Sequence, residues 1–460
     1  MRKEHDGLGE VSLPDGVLYG IETARAAENF ALGPDTVNPR LIRAMIQVKK
    51  AAALTFAELD GDTKESAAGH IPRRDKFRAI AAACDQALDG GAGGFFITHP
   101  LQGGAGTSTH MNVNEVLANL ALRILGKSEG SYEIIHPLDD VNRLQSTNDV
   151  YPTALRIAAI EALRECSGEC AKLQEALQKK ENEYADIRKL GRTELMDAAP
   201  VTLGGEFGAF AQAVARDRWR LYKVEERLRQ VNLGGSAVGD ISPAGADPSF
   251  ARRYRYAVIE KLRTITGMGL ASAEYPMDLT QNNDVFVEVS GLLKSLAVNL
   301  SKIAGDLRLM GSGPRGGLGE LKLAALQKGS TIMAGKVNPV IPEMIIQIAI
   351  RVMANDSAIS MAASRGEFEL NAFSPLIADS LLDSLEILAR GCFLFRTKCV
   401  EILKPNPERC AELLAVSAAF AAGYVPLLGY ETVSRIIAEN ADDMDAARAA
   451  LEAACAPLQN

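Results

Sequence analysis

Residues 285–307 read VFVEVSGLLKSLAVNLSKIAGDL, and the spacing of their apolar side chains predicts the fold class. From Val285, the apolar positions follow at intervals of four, three, four, four, three and four residues: Val289, Leu292, Leu296, Leu300, Ile303 and Leu307. This is the period of an α-helix with one buried stripe. Such a helix is about 35 Å long. We therefore expect a chain built on long helices.

The same periodicity predicts further long helices over about 154–190, 206–231, 340–363 and 376–403. Long helices with short connections are typical of a helix bundle. Charged residues such as Glu288 and Lys294 interrupt the first helix, which argues against a membrane span. Residues 344–354, MIIQIAIRVMA, are apolar on nearly every side. Such a helix is buried in a core or between subunits, so we expect a homo-oligomer.

Length and charge limit the class of protein. The chain has 460 residues, enough for two or three domains, and a net charge of −8 with acidic and basic residues interspersed. It has no basic stripe, so we expect neither a nucleic-acid partner nor a membrane partner. The seven cysteines show no regular framework, and residues 1–10 lack an apolar signal core, which favours the cytoplasm.

All the histidines lie in the first third of the chain. There are five histidines and none follows His136, so a histidine triad or a zinc site with two histidines would have to use the first third of the chain. We predict no metal and no cofactor.

Four polar segments interrupt the helical pattern, and each combines glycine with hydroxyl or amide side chains. They are 102–119, 136–153, 191–208, and the loop GSTIMAGKVNPVIPE (329–343) with the preceding GSGPRGGLGE (311–320). The loop is not a nucleotide-binding P-loop, because five residues separate Gly329 from Gly335 and Lys336 is followed by valine. Taken singly, these segments are ordinary helix caps and turns.

Together the four segments resemble the signature regions of the aspartase/fumarase superfamily, in the same order along residues 8–431. VNPVIPE (337–343) and STNDVYPT (146–153) resemble the aspartate ammonia-lyase branch, whereas GSGPRGGLGE resembles fumarases. The resemblance implies a mainly α fold with an N-terminal domain (1–141), a central long-helix bundle (142–404) and a small C-terminal helical domain (405–460). It also implies a homotetramer with a twenty-helix core, whose active sites each draw residues from three subunits.

The activity that the resemblance implies is reversible elimination of ammonia from L-aspartate to give fumarate, through an aci-carboxylate intermediate. Fumarate hydratase, another carbon–nitrogen lyase acting on a different amino acid or betaine, and an inactive scaffold remain alternatives. Ser330 corresponds to the catalytic base, on a mobile loop. The implied substrate contacts are Thr107, Ser146, Thr147 and Thr331 for the carboxylate that takes up charge, Asn148 for the C2 substituent, Lys336 and Asn338 for the other carboxylate, and Thr193.

Four positions depart from the family pattern, and one of them is Thr331, which replaces the second serine of the signature. Glu194 stands where many members have a histidine that pairs with the later glutamate, here Glu343. The two carboxylates are therefore expected to form a coupled pair that shares a proton and favours a cationic amine. His110 replaces an asparagine, and either a structural role or a ligand contact fits it. Ala334 replaces a proline, which loosens the loop.

Overall fold

The computed structural model of the chain describes residues 1–59, 71–239 and 247–456, and it is mainly helical. The mainly α fold predicted from the apolar periodicity is confirmed. The five longest helices are α5 (Thr147–Glu183), α6 (Leu203–Leu228), α9 (Asp284–Met310), α10 (Val340–Ala363) and α11 (Ser374–Phe395). The other helices are α1 (Ile21–Asn29), α2 (Pro39–Leu59), α3 (Arg73–Gln86), α4 (Thr107–Ile124), α7 (Pro248–Thr266), α8 (Pro276–Gln281), α12 (Pro407–Ala415), α13 (Val425–Leu428), α14 (Tyr430–Glu439) and α15 (Met444–Cys455).

The strands of the described residues are short and form two-stranded sheets. Three pairs are antiparallel, and only β5 with β6 is parallel. The pairs are β1 (Arg2–Asp6) with β2 (Gly9–Leu13), β3 (Arg188–Thr193) with β4 (Met196–Thr202), β5 (Gln230–Val231) with β6 (Ala271–Ser272), and β7 (Leu321–Lys322) with β8 (Lys404–Pro405).

Helix α9 contains the whole stripe that predicted it. Most of the stripe is buried, at Val289, Leu296, Leu300, Ile303 and Leu307. Leu292 is only half-buried, and the neighbouring Leu293 is the residue that enters the core. The intervals from Val289 through Leu293 to Leu296 are still four and three, so the helical period is kept.

The predicted ends of the other long helices are correct in part. Helix α10 begins and ends where predicted. Helix α5 was expected to reach residue 190, but it ends at Glu183, and residues 188–193 form strand β3. Helix α11 ends at Phe395 and is followed by a π-helical turn over Arg396–Val400.

The chain divides into two compact units. The first contains Met1–Glu165, Arg220–Lys294 and Arg351–Ile387, and the second contains Cys166–Trp219, Ser295–Ile350 and Leu388–Asn460. In the first unit Phe56 stacks on Phe77 and Tyr254, with ring centroids 5.0 and 4.6 Å away, so aromatic packing joins α2, α3 and α7. The three-domain division at residues 141 and 404 stays a prediction.

Helix α10 is only partly covered by its own chain. Ile345, Ala349 and Val352 are buried, whereas Ile350 is 60% exposed and Met361 69% exposed. The exposed side chains leave an apolar face on a helix that the sequence predicts to be buried all round. Among the described residues, no single helix has both the length and the apolar character to cross a membrane; one bent pair, Pro407–Ala415 and Ala418–Leu428, meets those criteria with a 66° break.

Candidate functional site

Two helix N-termini carry the hydroxyl residues of the first unit. Helix α4 begins at Thr107 and helix α5 at Thr147, which follows Ser146. The first turn of a helix presents unpaired N–H groups and the positive end of the helix dipole, so both positions favour a carboxylate. The Thr107 hydroxyl is exposed and donates to the Gly104 carbonyl at 2.7 Å.

Gly106 holds the start of α4 against α5. Its φ is +92°, in the left-handed region, and a Cβ atom there would lie 2.3 Å from the ring of Tyr151. Only glycine meets both conditions without displacing the ring. The glycine thus explains how the Thr107 helix end approaches the helix that begins at Thr147.

Asp149 fixes the start of α5 from inside the protein. Its Oδ1 accepts a hydrogen bond from the Ser146 N–H at 2.9 Å, and its Oδ2 accepts from the N–H groups of Gly234 and Ser236 at 2.9 and 3.0 Å. The carboxyl is fully buried, and this burial raises its pKa to about 6 although the three N–H groups favour the charged form. Ser146 Oγ in turn accepts from the Asn148 N–H at 3.2 Å.

Residues 232–239, NLGGSAVG, form a further polar segment that the sequence analysis missed. The Asn232 side chain donates to the Asn148 carbonyl at 3.0 Å, and the Asn148 side-chain N–H donates to the Ala237 carbonyl at 2.8 Å. Asn148 Oδ1 has no hydrogen-bond partner in the part of the chain that the structure describes, so it is available as an acceptor. Paired glycines beside a serine and an asparagine were the signal that could have identified this segment.

His110 lies behind the hydroxyl of Thr147. Its Nδ1 is 2.8 Å from Thr147 Oγ1, and the ring is buried. Burial, with a smaller contribution from the Lys49 charge, holds the pKa of His110 well below its usual range, so the imidazole is neutral. His110 therefore does not reach solvent; its contact is with another candidate site residue.

Lys49 is a buried lysine whose charge acts on both His110 and Asp149. Its ammonium donates to Asn142 Oδ1 at 2.8 Å, and burial lowers the pKa of Lys49 to about 7, against the opposing charge of Asp149. Neither Lys49 nor Asn142 was singled out from the sequence. A lysine within a helical stripe gives no sequence signal that it is buried.

The loop 329–338 of the second unit is closed at its base by hydrogen bonds. The Gly329 N–H donates to the Lys336 carbonyl at 2.9 Å, and the Asn338 side chain donates to the Gly329 carbonyl at 2.7 Å. A Cβ atom on Gly329 would lie 2.4 Å from the Lys336 carbonyl oxygen, and Gly335 has a φ of +81°. The glycines therefore allow a close approach and a left-handed turn.

Ser330 is half-buried, and its hydroxyl oxygen faces the backbone of the residues that follow it in the loop. The backbone N–H groups of Ile332 and Met333 donate to Ser330 Oγ, at 3.2 and 2.9 Å. Thr331 and Lys336 are exposed. A hollow of about 1210 Å³ borders the loop and is lined by residues 325–337 alone.

Thr193 and Glu194 lie at the tip of the β3–β4 hairpin. Thr193 pairs with Met196, so Glu194 and Leu195 form a two-residue turn, and both have positive φ, 54° and 66°. Turns of this kind normally use asparagine and glycine, so two larger side chains store strain. Both residues are exposed.

Buried charges anchor the hairpin. The Lys189 ammonium and the Arg192 guanidinium lie 2.7 and 2.8 Å from the carboxylate of Glu320, which is fully buried. Burial raises the pKa of the neighbouring Glu206, which Lys189 also contacts at 2.9 Å. Glu194 lines a cavity of about 430 Å³ beside these groups.

Glu343 lies in the first turn of α10, and its carboxylate is 3.5 Å from Arg308 Nε. The described residues show no ion pair or hydrogen bond between Glu343 and Glu194, and their coupling stays a prediction. The candidate residues fall into two groups: Thr107, Ser146, Thr147 and Asn148 belong to the first unit, and Thr193, Glu194, Ser330, Thr331, Lys336, Asn338 and Glu343 belong to the second.

A mainly helical protein with hydroxyls at two helix N-termini and a serine–lysine loop has the features of an α-helical lyase. The sequence profile of the family described as "Lyase" matches residues 9–354, and the chain belongs to this family. This confirms the resemblance to the aspartase/fumarase superfamily.

Several named proteins and solved structures are similar to this chain over most of its length. Aspartate ammonia-lyase of Helicobacter pylori (strain J99) is 43% identical over 441 residues, 95% of this chain and 91% of the relative. Aspartate ammonia-lyase of Bacillus subtilis (strain 168) is 41% identical over 438 residues, 95% and 89%. A solved structure of fumarate lyase:delta crystallin from Brucella melitensis in native form has a TM-score of 0.88 at 42% identity, covering 97% of this chain and 99% of that one. Class II fumarase from Schistosoma mansoni has a TM-score of 0.89 at 29% identity, with 99% and 95% covered.

Proposed function

We propose that the chain catalyses the reversible elimination of ammonia from L-aspartate to give fumarate. The observation that carries the proposal is its 41–43% identity, over 95% of its length, to enzymes named aspartate ammonia-lyase. The Ser330 loop supplies the chemical support, because its geometry suits a hydroxyl that must give up its proton.

Ser330 acts as a base in its ionised form: its hydroxyl proton is first released to solvent, and Oγ then takes up the C3 proton. A serine hydroxyl is a very weak base unless its alkoxide is stabilised. Two backbone N–H groups already point at Ser330 Oγ, at 3.2 and 2.9 Å, and both would strengthen as the oxygen becomes negative. No histidine is required for this step.

The carboxylate next to C3 takes up the charge of the carbanion. Ser146 and Thr147, with Thr331 and Thr193, donate to it in this scheme, and Thr107 joins them by turning its hydroxyl proton away from the Gly104 carbonyl. The hydroxyls at the N-termini of α4 and α5 have a favourable helix dipole behind them. Donors aimed at developing charge lower the barrier more than they tighten ground-state binding.

Asn148 faces the amine that leaves. Its N–H is used by the Ala237 carbonyl, so Oδ1 remains to accept from an ammonium. A carboxylate pair formed by Glu194 and Glu343 would add negative charge around the same group. Both features favour an amine over a hydroxyl as the leaving group, which ranks fumarate hydratase second.

The second carboxylate of the substrate binds to Lys336 and Asn338. Lys336 is exposed and has no acidic partner among the residues described, so its charge is available. Asn338 uses one N–H on the Gly329 carbonyl and keeps the other. The loop therefore offers one charge and one directed donor, which fix the orientation of the substrate.

The active enzyme is a homotetramer in this proposal. The hollow beside the Ser330 loop is lined by residues 325–337 only, so further residues are needed to enclose a substrate. Neighbouring subunits would supply these residues. Exposed apolar side chains on the long helices support this, among them Ile350, Met361, Trp219 and Tyr222. Light scattering on the eluting protein should give about four times the chain mass of 49.2 kDa. A monomeric mass would contradict the proposal.

We also place the enzyme in the cytoplasm. All seven cysteines lie in the described part of the chain, are buried and form no disulfide, which suits a reducing compartment. Cell fractionation with an antibody against the protein tests this. Recovery in the membrane or extracellular fraction would contradict it.

The decisive test is turnover. Purified protein is incubated with fumarate plus ammonia, and separately with malate, while the absorbance of the fumarate double bond is followed. Consumption that requires ammonia supports the proposal, and turnover of malate without ammonia would make the protein a hydratase. No reaction in either case would favour a different amine substrate or an inactive scaffold.

Two variants connect activity to the loop. Ser330→Ala should abolish turnover while the tetramer stays intact. Lys336→Met should raise KM strongly, whereas Lys328→Met, a second exposed loop lysine without an assigned role, should behave as wild type. Equal effects of the two lysine changes would show that general charge, and not a specific contact, attracts the substrate.

A further inference from the structure

We propose that His110 is a positioning residue: its Nδ1–H donates to the Thr147 hydroxyl and thereby directs the Thr147 O–H proton toward the substrate carboxylate. This inference rests on the proposed function for its kinetic consequence. The hydrogen bond itself is a property of the folded chain and can be tested independently of activity.

The argument begins with the geometry of one hydrogen bond. His110 Nδ1 and Thr147 Oγ1 are 2.8 Å apart, and the histidine ring is buried, while Thr147 is partly exposed at the first residue of α5. The hydroxyl has a single proton. If Thr147 donates that proton to Nδ1, it has none for a carboxylate; if Nδ1–H donates to Oγ1, the proton stays available.

The second ring nitrogen decides between these two arrangements. His110 Nε2 is buried and has no hydrogen-bond partner among the described residues. Were Nε2 to carry the proton, a buried N–H would be left unpaired, which is rare and costly in native proteins. A lone pair without a partner is tolerated more often. The protonated nitrogen is therefore Nδ1, and it faces Thr147.

Burial of the ring, with a smaller contribution from nearby charge, keeps the imidazole neutral. Lys49, on α2, lowers the pKa of His110 further below the value set by burial, and Asp149, on α5, offsets part of the Lys49 charge. A neutral ring with a proton on one nitrogen is a directional donor and adds no net charge to the carboxylate site. An asparagine side chain also carries an N–H donor, so an asparagine at this position could make the same contact.

The kinetic test compares two replacements of His110. His110→Asn restores an N–H near the position of Nδ1, whereas His110→Leu has similar bulk and no donor. The leucine variant should lose about 10–100-fold in kcat with KM nearly unchanged, because the donor acts on charge that develops in the transition state. The asparagine variant should remain within a few-fold of wild type.

A double replacement separates this role from simple packing. In a Thr147→Val background, His110→Leu should change kcat less than about twofold, since His110 acts through the missing hydroxyl. Circular dichroism and the tetramer mass confirm that each variant folds. Equal losses in both backgrounds, or failure of asparagine to rescue, would overturn the positioning role.

A direct measurement requires no turnover. Magic-angle-spinning NMR of the ¹⁵N-histidine-labelled enzyme distinguishes the two neutral tautomers, and the signal absent from His110→Asn identifies the residue. Nδ1–H is the expected tautomer, and Nε2–H would overturn the proposal. Should wild type fail to consume fumarate with ammonia while the Nδ1–H tautomer is found, the proposed reaction is wrong and the hydrogen bond stands.

Discussion

Replacing Gly106 by alanine should weaken both the fold and the activity. The new Cβ would lie 2.3 Å from the Tyr151 ring, so the ring or the start of α4 must move by about 1 Å to reach ordinary contact. Overpacking of this kind costs about 1–3 kcal/mol, and the left-handed φ of +92° adds about 1–2 kcal/mol for a residue with a side chain. The free energy of unfolding should fall by about 2–5 kcal/mol. A shift of about 1 Å at Thr107 should also lower kcat/KM on the order of 100-fold.

Gly104→Ala is the matched control. Gly104 also has a left-handed φ, +79°, but its nearest neighbour is the Thr107 side chain at an ordinary 3.8 Å. Gly104→Ala should therefore lower the free energy of unfolding only by the cost of the left-handed φ, about 1–2 kcal/mol. Urea unfolding at one fixed protein concentration gives the stabilities, and the fumarate assay gives the rates. Equal losses for the two variants, or a Gly106→Ala enzyme with normal kcat/KM, would falsify the role of this contact.

Other substitutions test the buried charges and the loop. Lys49→Met should flatten the pH dependence of stability between about pH 7 and 9. In this range the wild-type unfolded chain binds a proton that Lys49 of the native protein has released, so the free energy of unfolding rises with pH by up to about 1.4 kcal/mol per pH unit. If the urea midpoints of the variant and of wild type change in parallel with pH, this explanation is wrong. Glu320→Gln should destabilise by about 3–5 kcal/mol in the same urea assay, because it removes the buried carboxylate that Lys189 and Arg192 share and leaves Lys189 with Glu206 alone. Glu412→Gln, at an exposed ion pair, should cost less than about 1 kcal/mol. Similar costs at the two sites would show that the buried network is not essential. Asn338→Ala should open the base of the loop and lower kcat, because it removes the hydrogen bond from the Asn338 side chain to the Gly329 carbonyl. An unchanged kcat would mean that this hydrogen bond is dispensable.

The long helices could be predicted from the sequence because burial imposes an apolar pattern on each of them, a one-sided period in α9 and a nearly continuous apolar run in α10. The bounds of α10 agree with the predicted ones. Strand β3 could not be predicted from the sequence. It pairs with β4 across a turn formed by a glutamate and a leucine, which are not typical hairpin residues. Pairing across a turn, and not local preference, determines that segment.

The other features that the sequence did not predict depend on contacts between residues far apart in the chain. The segment 232–239 resembles the recognised polar segments in composition, but its role depends on bonds to α5 that span more than 80 residues. In the same way, the role of His110 could not be chosen until its partner 37 residues away was known. A motif indicates which residues belong to a site, whereas the hydrogen bonds behind it depend on tertiary structure.

The hydrogen bonds that reach Ser330 come from peptide groups and not from side chains. Ile332, whose N–H donates one of them, is itself 88% exposed and contributes no side chain to the serine. These two hydrogen bonds therefore place no demand on the side chains at positions 332 and 333. Proline is the exception, since it would delete a donor. A library randomised at position 332, whose side chain is 88% exposed, should therefore yield active clones of nearly every residue type except proline.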